Sequence, residues 1–243
     1  MPLPRFYCDL PLAPGATLAL PEPLAHHAVR VLRLRDGDGM VLFDGTGGEY
    51  PAVLRVEGRE ARAQLGAFAP REAELGGAIT LVQGLPSGDK MDWVVEKAVE
   101  LGAARLVPIG ARRSVVQLAG ARADKRLAHW RRIARSAAEQ CGRNRLMQVD
   151  APRPLANWLA EAPQGLRLLC HPEADDTLAG VLAAPPAPGH LSLLVGPEGG
   201  WSDEELQAAL KAGARAVRFG PRVLRTETAG LALMAAAAAL LGW

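Results

Sequence analysis

The chain has 243 residues, 49% of them apolar, which is enough to bury a core in one large domain or two ordinary ones and excludes a disordered chain. The formal net charge is only +2. Positive charge is nevertheless concentrated between residues 112 and 145, a segment that contains ten basic residues and only two acidic ones, Asp124 and Glu139. Arginine supplies most of it, so this region favours either an anionic polymer as partner or a solvated helix face.

Metal sites, disulfides and membrane segments are not expected. The three cysteines, Cys8, Cys141 and Cys170, form no CxxC pair, and the five histidines show no metal-binding spacing. The first fifteen residues lack the apolar stretch of a secretory signal, and the apolar stretch at residues 229–241 is too short for a bilayer, which needs about 20 residues. We therefore expect a cytoplasmic protein without a metal.

The first seventy residues have the pattern of β structure. Short apolar segments at 40–43 and 52–56 are separated by the turn cluster DGTGG at 44–48. The cluster joins two strand-like segments and opens no helix, which favours a hairpin turn over a phosphate loop. The pattern predicts a small barrel.

From Gly76 onward the pattern changes to alternating strands and helices, which is typical of an α/β domain with a parallel sheet. Ser202 and Glu205 form a capping-box pattern at the start of a helix. Predicted strands cover residues 79–83, 105–109, 166–170, 191–195 and 216–219, and predicted helices cover 91–101, 122–141, 202–211 and the alanine-rich segment after Thr226.

The turn GPEGG at 196–200 follows a buried strand and precedes a helix, at the edge of an open α/β sheet where ligands collect. Pro197 lacks an N–H donor and Glu198 adds a negative charge, so a pyrophosphate would bind poorly there. A neutral adenosine that carries a cationic sulfonium fits these electrostatics better. The alternative is an ordinary turn between a strand and a helix.

A second turn, in FGPRVLRTETAG, also joins a strand end to a helix. Thr226 and Thr228 can cap this helix, and Glu227 favours its dipole. Arg225 either binds a phosphate or a base, or pairs with Glu227 or Glu198 and merely fixes the loop. The absence of GxGxxG after a strand, of GxxxxGK[ST] and of GxSxG disfavours dinucleotide, nucleoside-triphosphate and hydrolase sites.

Eight segments in order resemble the ribosomal RNA small subunit methyltransferase E family of the SPOUT superfamily. They are PRFY, HAVRVLR, FDG, GDKMDWVVEKAVELGA, EQCGRNR, LCHP, GPEGG and GPRVLRTETA, and they extend over nearly the whole chain. The chain departs from the family at Leu146-Met147, where a proline is common, and at Arg112, where an acid is common. Both departures bear on RNA contacts.

The resemblance implies an α/β protein with two domains. Residues 1–72 would form a PUA-like β-barrel that docks RNA, and residues 73–243 a SPOUT methyltransferase domain with a deep trefoil knot. The residue pattern by itself predicts an unknotted sheet, because threaded chains are rare. The resemblance also implies a homodimer that binds S-adenosyl-L-methionine between the turns after three strands. The implied cofactor residues are Leu169, His171, Val195, Gly196, Glu198, Gly199, Gly200, Phe219, Gly220, Val223, Leu224 and Thr228.

The implied reaction is methylation of N3 of one uridine in 16S rRNA of the small ribosomal subunit. Arg225 would orient or stabilise the uracil and Glu227 would position it, and the base must be unpaired or extruded because N3 lies on the pairing edge. The implied RNA-binding residues are Arg5, His27, Arg30, Arg33, Arg113, Arg143 and Arg145. Three alternatives remain: a related enzyme acting on another nucleotide or on a ribose 2′-oxygen, a noncatalytic RNA-binding or ribosome-assembly factor, and a small-molecule α/β enzyme.

Overall fold

The structure is a computed structural model that describes residues 3–58, 60–161, 164–184 and 189–243. The chain divides into two compact units. The N-terminal unit comprises Met1–Glu74 and Ala138–Leu146, and the C-terminal unit comprises Leu75–Ala137 and Met147–Trp243. In the part of the chain that the structure describes, no helix is long and apolar enough to cross a membrane, and no cluster of three or more His, Cys, Asp or Glu side chains could hold a metal.

The N-terminal unit contains a mixed five-stranded sheet with the order β1-β3-β4-β5-β2. β1 is parallel to β3, and the other pairs are antiparallel. Every second residue of β5 is buried, which explains why its alternating sequence forms a strand with one face on the core. The elements are β1 Arg5–Tyr7, β2 Thr17–Ala19, α1 Glu22–His26, a π-helical turn His27–Val31, β3 Gly39–Phe43, β4 Tyr50–Glu57 and β5 Glu60–Leu65.

The segment Ala138–Leu146, which contains EQCGRNR, is part of the N-terminal unit although it lies far along the chain. Its Asn144 side chain is fully buried and donates to Glu49 Oε2 at 3.2 Å and to the Arg71 carbonyl at 2.7 Å. Arg5 Nη1 pairs with the same Glu49 oxygen at 2.6 Å, and Arg5 also donates to Asn144 Oδ1. These polar contacts fasten the segment to the sheet.

Two arginines expected to contact RNA are interior in this unit. The Arg5 side chain is 12% exposed and is used by Glu49 and Asn144. Arg143 is 4% exposed at its side chain, and its Nε donates to Glu74 at 3.0 Å. Their guanidinium groups pair with the buried Glu49 and the partly buried Glu74, so both residues stabilise the fold. Arg145 differs, since its side chain is 55% exposed and pairs with Glu72 at 3.2 Å.

Replacing Glu49 with glutamine should lower the free energy of unfolding by about 3 kcal/mol at pH 7, because the buried Arg5 guanidinium loses its counterion. Burial acts to raise the pKa of Glu49, but hydrogen bonds from Arg5 and Asn144 outweigh it and lower that pKa below its ordinary 4.5. A carboxyl with a lowered folded-state pKa stabilises above its unfolded pKa and loses that contribution as the pH falls through the folded value.

Urea unfolding at pH 7 and at pH 3.5 checks this expectation. The difference in free energy of unfolding between wild type and Glu49→Gln should narrow at the lower pH, because the unfolded wild-type chain then takes up a proton at Glu49 and the ionised pair contributes less to stability. Glu60→Gln, which breaks a solvent-exposed pair with Arg62, is the matched control and should change stability by less than about 0.5 kcal/mol. A difference in free energy of unfolding between wild type and Glu49→Gln that is the same at both pH values would contradict the ion pair between Arg5 and Glu49.

In the C-terminal unit, described strands form a six-stranded sheet with the order β11-β9-β10-β6-β7-β8, and every pair is parallel. The predicted strands are confirmed to within two residues at either end, as is the capping box of α6. The elements are β6 Ala78–Gly84, α2 Lys90–Glu100, β7 Arg105–Ile109, α3 Gly120–Cys141, β8 Gln148–Val149, α4 Leu155–Ala160, β9 Leu166–Cys170, α5 Leu178–Val181, β10 His190–Val195, α6 Asp203–Lys211, β11 Arg215–Val217 and α7 Thr226–Leu241.

β9 lies between β10 and β11 in this sheet. Leu169 is paired with Leu194 on one side and with Ala216 on the other. The turns after these strands therefore lie at one sheet edge, because all three strands run the same way. β10 and β11 are not paired with each other, so the turns that follow them are separated by the turn after β9.

Candidate functional site

A cleft of about 530 Å³ lies at the carboxyl ends of β9, β10 and β11. Ten of the twelve residues expected to bind a cofactor line it. Leu169 does not, because it is fully buried within the sheet, and neither does exposed Thr228. The expected lining residues are His171, Val195, Gly196, Glu198, Gly199, Gly200, Phe219, Gly220, Val223 and Leu224. Further lining residues are Arg113, Cys170, Pro172, Pro197, Trp201, Arg222, Arg225, Thr226, Glu227 and Ala229.

The GPEGG turn is closely surrounded by other backbone. A Cβ atom on Gly84, the last residue of β6, would lie 2.5 Å from Pro197 N and 2.8 Å from Gly196 C. A Cβ on Gly199 would lie 2.9 Å from Arg113 Cβ and 3.1 Å from the Arg113 carbonyl oxygen. Glycine at both positions lets neighbouring segments approach the turn, and its shape depends on them.

Arg113, expected to grip RNA phosphates, contacts this turn. Its Nη1 donates to the Trp201 carbonyl at 3.1 Å and to the Gly199 carbonyl at 3.4 Å, and its Nη2 lies 3.7 Å from Asp203. The guanidinium thus closes one side of the cleft. The sequence offered no sign of this contact, since Arg113 lies 86 residues before Gly199.

Glu198 has partners that the sequence did not reveal. Its Oε1 accepts hydrogen bonds from Ser87 Oγ at 2.6 Å, Ser87 N at 3.0 Å and Lys90 Nζ at 2.9 Å. Partial burial acts to raise its pKa, but these hydrogen bonds prevail and lower the pKa of Glu198 to about 2. The carboxylate therefore stays ionised, and Lys90 balances its charge.

The Arg225 guanidinium has no hydrogen-bond or ion-pair partner among the residues that the structure describes, and the residue is exposed at the cleft. The alternative in which it pairs with Glu198 or Glu227 does not match this arrangement, since both carboxylates are nearest to Lys90. Glu227 Oε2 is buried and accepts no hydrogen bond from a described residue; Lys90 Nζ lies 3.7 Å away. The cleft thus holds a guanidinium without a described partner and, two positions later in the chain, a carboxylate oxygen whose nearest described partner is the Lys90 ammonium 3.7 Å away.

Thr226 connects the two turns through its side chain, instead of capping α7. Its hydroxyl donates to the Gly196 carbonyl at 2.6 Å and accepts from Gln83 Nε2 at 2.8 Å. The N-cap position of α7 belongs to Arg225, which makes no side-chain cap. Gln83 and its bond to Thr226 are buried, whereas the bond from Thr226 to Gly196 is partly exposed at the cleft, and together they join β6, the GPEGG turn and α7.

Replacing Thr226 with valine should therefore lower the free energy of unfolding by about 2 kcal/mol, since Gln83 Nε2 and the Gly196 carbonyl each lose a hydrogen-bond partner while the branched shape of the side chain is kept. Chemical denaturation monitored by tryptophan fluorescence measures this. Thr228→Val, two residues further on an exposed part of the same helix, should change stability by less than about 0.5 kcal/mol. Equal effects of the two substitutions would show that the relay contributes nothing.

The other residues expected to contact RNA lie in the N-terminal unit. His27, Arg30 and Arg33 are exposed on and just after the π-helical turn. Arg33 adopts a left-handed backbone conformation with φ of 58°. The apolar Val31 and Leu32 between them are 58% and 45% exposed, so this segment presents cations beside apolar surface.

Comparison with known proteins identifies the family. Residues 73–238 match the RNA methyltransferase domain family, and residues 20–62 match the RNA methyltransferase PUA domain family. The ribosomal RNA small subunit methyltransferase E of Mycobacterium bovis is 37% identical, over 97% of this chain and 91% of its own. That of Bacillus subtilis is 29% identical over 96% and 94%.

Solved structures agree with these sequence matches. The ribosomal RNA small subunit methyltransferase E of Neisseria gonorrhoeae, solved with bound S-adenosyl methionine, is 38% identical with a TM-score of 0.88 over 96% of both chains. A Legionella pneumophila protein in complex with the same cofactor is 32% identical with a TM-score of 0.91 over 98% of both. The chain therefore belongs to the ribosomal RNA small subunit methyltransferase E family.

Proposed function

We propose that this protein transfers the methyl group of S-adenosyl-L-methionine to N3 of one uridine in 16S rRNA of the small ribosomal subunit. The observation that carries the proposal is that one cleft, bounded by three strand-end turns, is lined both by Arg225, whose guanidinium has no described partner, and by Glu227, whose Oε2 accepts no hydrogen bond from a described residue. A cation and an acceptor placed together suit a substrate that must lose a proton while it is held in one orientation.

The cleft is suited to the cofactor in size and chemistry. Its volume of about 530 Å³ lies within the range of small-molecule sites, and Val195, Phe219 and Leu224 offer apolar surface to an adenine. Trp201 Nε1 is buried without a partner among the described residues, so a donor is left over near the turn. When bound, the cofactor supplies an electrophilic methyl group. His171 and residues of the turns after Val195 and Phe219 would hold it.

The chain's own part in the reaction is to orient the uracil and to take its proton. Arg225 can donate to a uracil carbonyl and stabilise the negative charge that develops as N3 loses its proton. Glu227 Oε2 can accept that proton, because it accepts no hydrogen bond from a described residue and the Lys90 ammonium is 3.7 Å away, beyond hydrogen-bond distance. The electron pair left on N3 forms the new N–C bond as the C–S bond breaks toward sulfur. N3 must be unpaired for this, which requires an extruded or single-stranded uridine.

For the domains and partners, we propose a PUA-like barrel for RNA docking in residues 1–72 and a SPOUT domain with a deep trefoil knot in residues 73–243. The two family matches, at 20–62 and 73–238, support this division. The exposed His27, Arg30, Arg33 and Arg145 are the proposed phosphate contacts. Arg5, Arg143 and Arg113 are left out of this set. The first two side chains pair with carboxylates, and Arg113 donates to carbonyls at the GPEGG turn. The acting form would be a homodimer.

The test is to incubate the purified protein with radiolabelled S-adenosylmethionine and small ribosomal subunits from cells that lack the activity, and to identify the labelled nucleoside. Labelled 3-methyluridine would support the proposal. Label on another nucleotide or on a ribose 2′-oxygen would replace it by a related methyltransferase. Absence of cofactor binding would favour a noncatalytic RNA-binding factor, and activity indifferent to RNA and salt would indicate a small-molecule enzyme.

A further inference from the structure

The segment between β6 and α2, residues 85–89, leads into Lys90, and GDK at 88–90 is part of a motif that the proposed function leaves without a role. This segment contacts the GPEGG turn closely. Ser87 donates to Glu198 through both its backbone N–H and its hydroxyl, and Gly84 allows the backbone of β6 to approach Pro197. Lys90, the first residue of α2, completes the contact. The segment therefore fastens a turn that lies more than 100 residues later in the chain.

Lys90 lies between two carboxylates that belong to different turns of the cleft. Its Nζ is 2.9 Å from Glu198 Oε1, in the turn after β10, and 3.7 Å from Glu227 Oε2, in the first turn of α7. The side chains are 33%, 32% and 18% exposed, for Lys90, Glu198 and Glu227. The Lys90 ammonium therefore pairs with two carboxylates at a partly buried site. The repulsion between the two carboxylates is stronger there than in bulk water.

We infer that Lys90 is a positioning residue, which holds Glu198 and Glu227 in place for cofactor binding and for proton transfer; this inference rests on the proposed function. Through Glu198 it keeps the GPEGG turn in the shape that receives the cofactor, so the turn need not be ordered at binding. Through its ion pair with Glu227 it holds the proposed proton acceptor in a fixed position in the cleft. Lys90 itself touches neither reactant.

Lys97, on the same helix, provides a matched control. It makes ion pairs with Glu96 and Glu100, both at 2.7 Å, and lies 4.8 Å from the ring centre of Trp93. These partners all belong to α2, so Lys97→Met removes a paired lysine from that helix without touching either turn. A general loss of helix stability would appear in both lysine variants, whereas a positioning role would appear only at Lys90.

The experiment measures S-adenosylmethionine binding by calorimetry and methyl transfer to small ribosomal subunits at saturating cofactor, on the full chain. Lys90→Met should bind the cofactor about tenfold more weakly and lower kcat by about tenfold or more, with an unchanged unfolding midpoint. Lys90→Arg, which keeps the charge, should recover affinity to within about threefold of wild type, and Lys97→Met should match wild type. Wild-type affinity and kcat in Lys90→Met would overturn the inference.

A double-mutant cycle tests whether Lys90 acts through Glu198. If it does, Glu198→Gln and Lys90→Met together should weaken cofactor binding by much less than the product of the two separate effects. If the two losses of cofactor binding free energy are additive, Lys90 does not act through Glu198. The binding data also stand apart from the proposed reaction: a wild-type protein that binds cofactor but methylates no uridine would refute the proposed function, while the comparison of Lys90 variants would still decide the positioning role.

Discussion

Replacing Arg225 with alanine is expected to lower the rate of methyl transfer by about 10²- to 10³-fold, a loss comparable to removal of one preorganised donor from a site of developing charge. Affinity for S-adenosylmethionine should stay within about twofold, because the turns that would hold the cofactor are fastened by other contacts. Glu198 is held by Ser87 and Lys90, and Thr226 holds the Gly196 carbonyl. Arg225 makes none of these contacts, so its removal leaves the cleft intact.

Single-turnover transfer to small ribosomal subunits and calorimetric cofactor binding separate the two effects. Arg222→Ala is the control, since Arg222 is exposed, lines the same cleft and carries the same charge. Arg222→Ala should lower the rate of methyl transfer much less than Arg225→Ala does, if the Arg225 guanidinium has to contact the uracil in a fixed orientation. Equal losses at the two positions would assign the effect to the net charge of the turn. Unchanged transfer in Arg225→Ala would remove this residue from the mechanism.

Replacing Gly84 with alanine is expected to weaken cofactor binding by about 30-fold or more and to lower the free energy of unfolding by about 2 kcal/mol. The new methyl group would lie 2.5 Å from Pro197 N, 2.6 Å from Pro197 Cδ and 2.8 Å from Gly196 C. Backbone and a proline ring cannot rotate away as a long side chain can, so the GPEGG turn itself has to move.

Gly110→Ala is the matched substitution. Gly110 directly follows β7, whose last residue Ile109 is paired with Gly84, and the nearest atom to a new Cβ there is Gln117 Oε1 at 3.9 Å. Cofactor affinity and the unfolding midpoint of this variant should equal those of wild type. If Gly84→Ala binds cofactor as tightly as Gly110→Ala does, the close approach of β6 to the turn is irrelevant to binding.

Much of the C-terminal fold could be predicted from local sequence. The sequence predicts the strand Leu166–Cys170 to the residue, because a nearly continuous apolar run lies between Gly165 and His171, as expected for a strand of a covered parallel sheet. The capping box at Ser202 is equally local. The cleft also lies where it was expected, because the carboxyl edge of a parallel sheet is a property of the architecture.

Long-range partners could not be predicted in this way. No local pattern shows that Lys90 binds Glu198, which lies 108 positions later in the chain. Nor does any local pattern show that Arg113 donates to the Trp201 carbonyl, next to the GPEGG turn. The family resemblance implied Arg5 and Arg143 as RNA contacts, and nothing in the sequence corrected this, because a buried and an exposed arginine look alike in a sequence. Which arginines are interior depends on where Glu49 and Glu74 lie, and tertiary packing alone decides that.

The late segment Ala138–Leu146 has a consequence for how the protein is made. The N-terminal unit includes these nine residues, and Asn144 fills a fully buried position beside Glu49. During synthesis this unit cannot acquire its complete set of buried contacts until the ribosome has released residue 146, although its last strand ends at residue 65. Units that are synthesised first usually fold first, but complete folding of this N-terminal unit has to wait for residues 138–146. A truncated chain that ends near residue 74 would lack the side chains that fill this part of its interior.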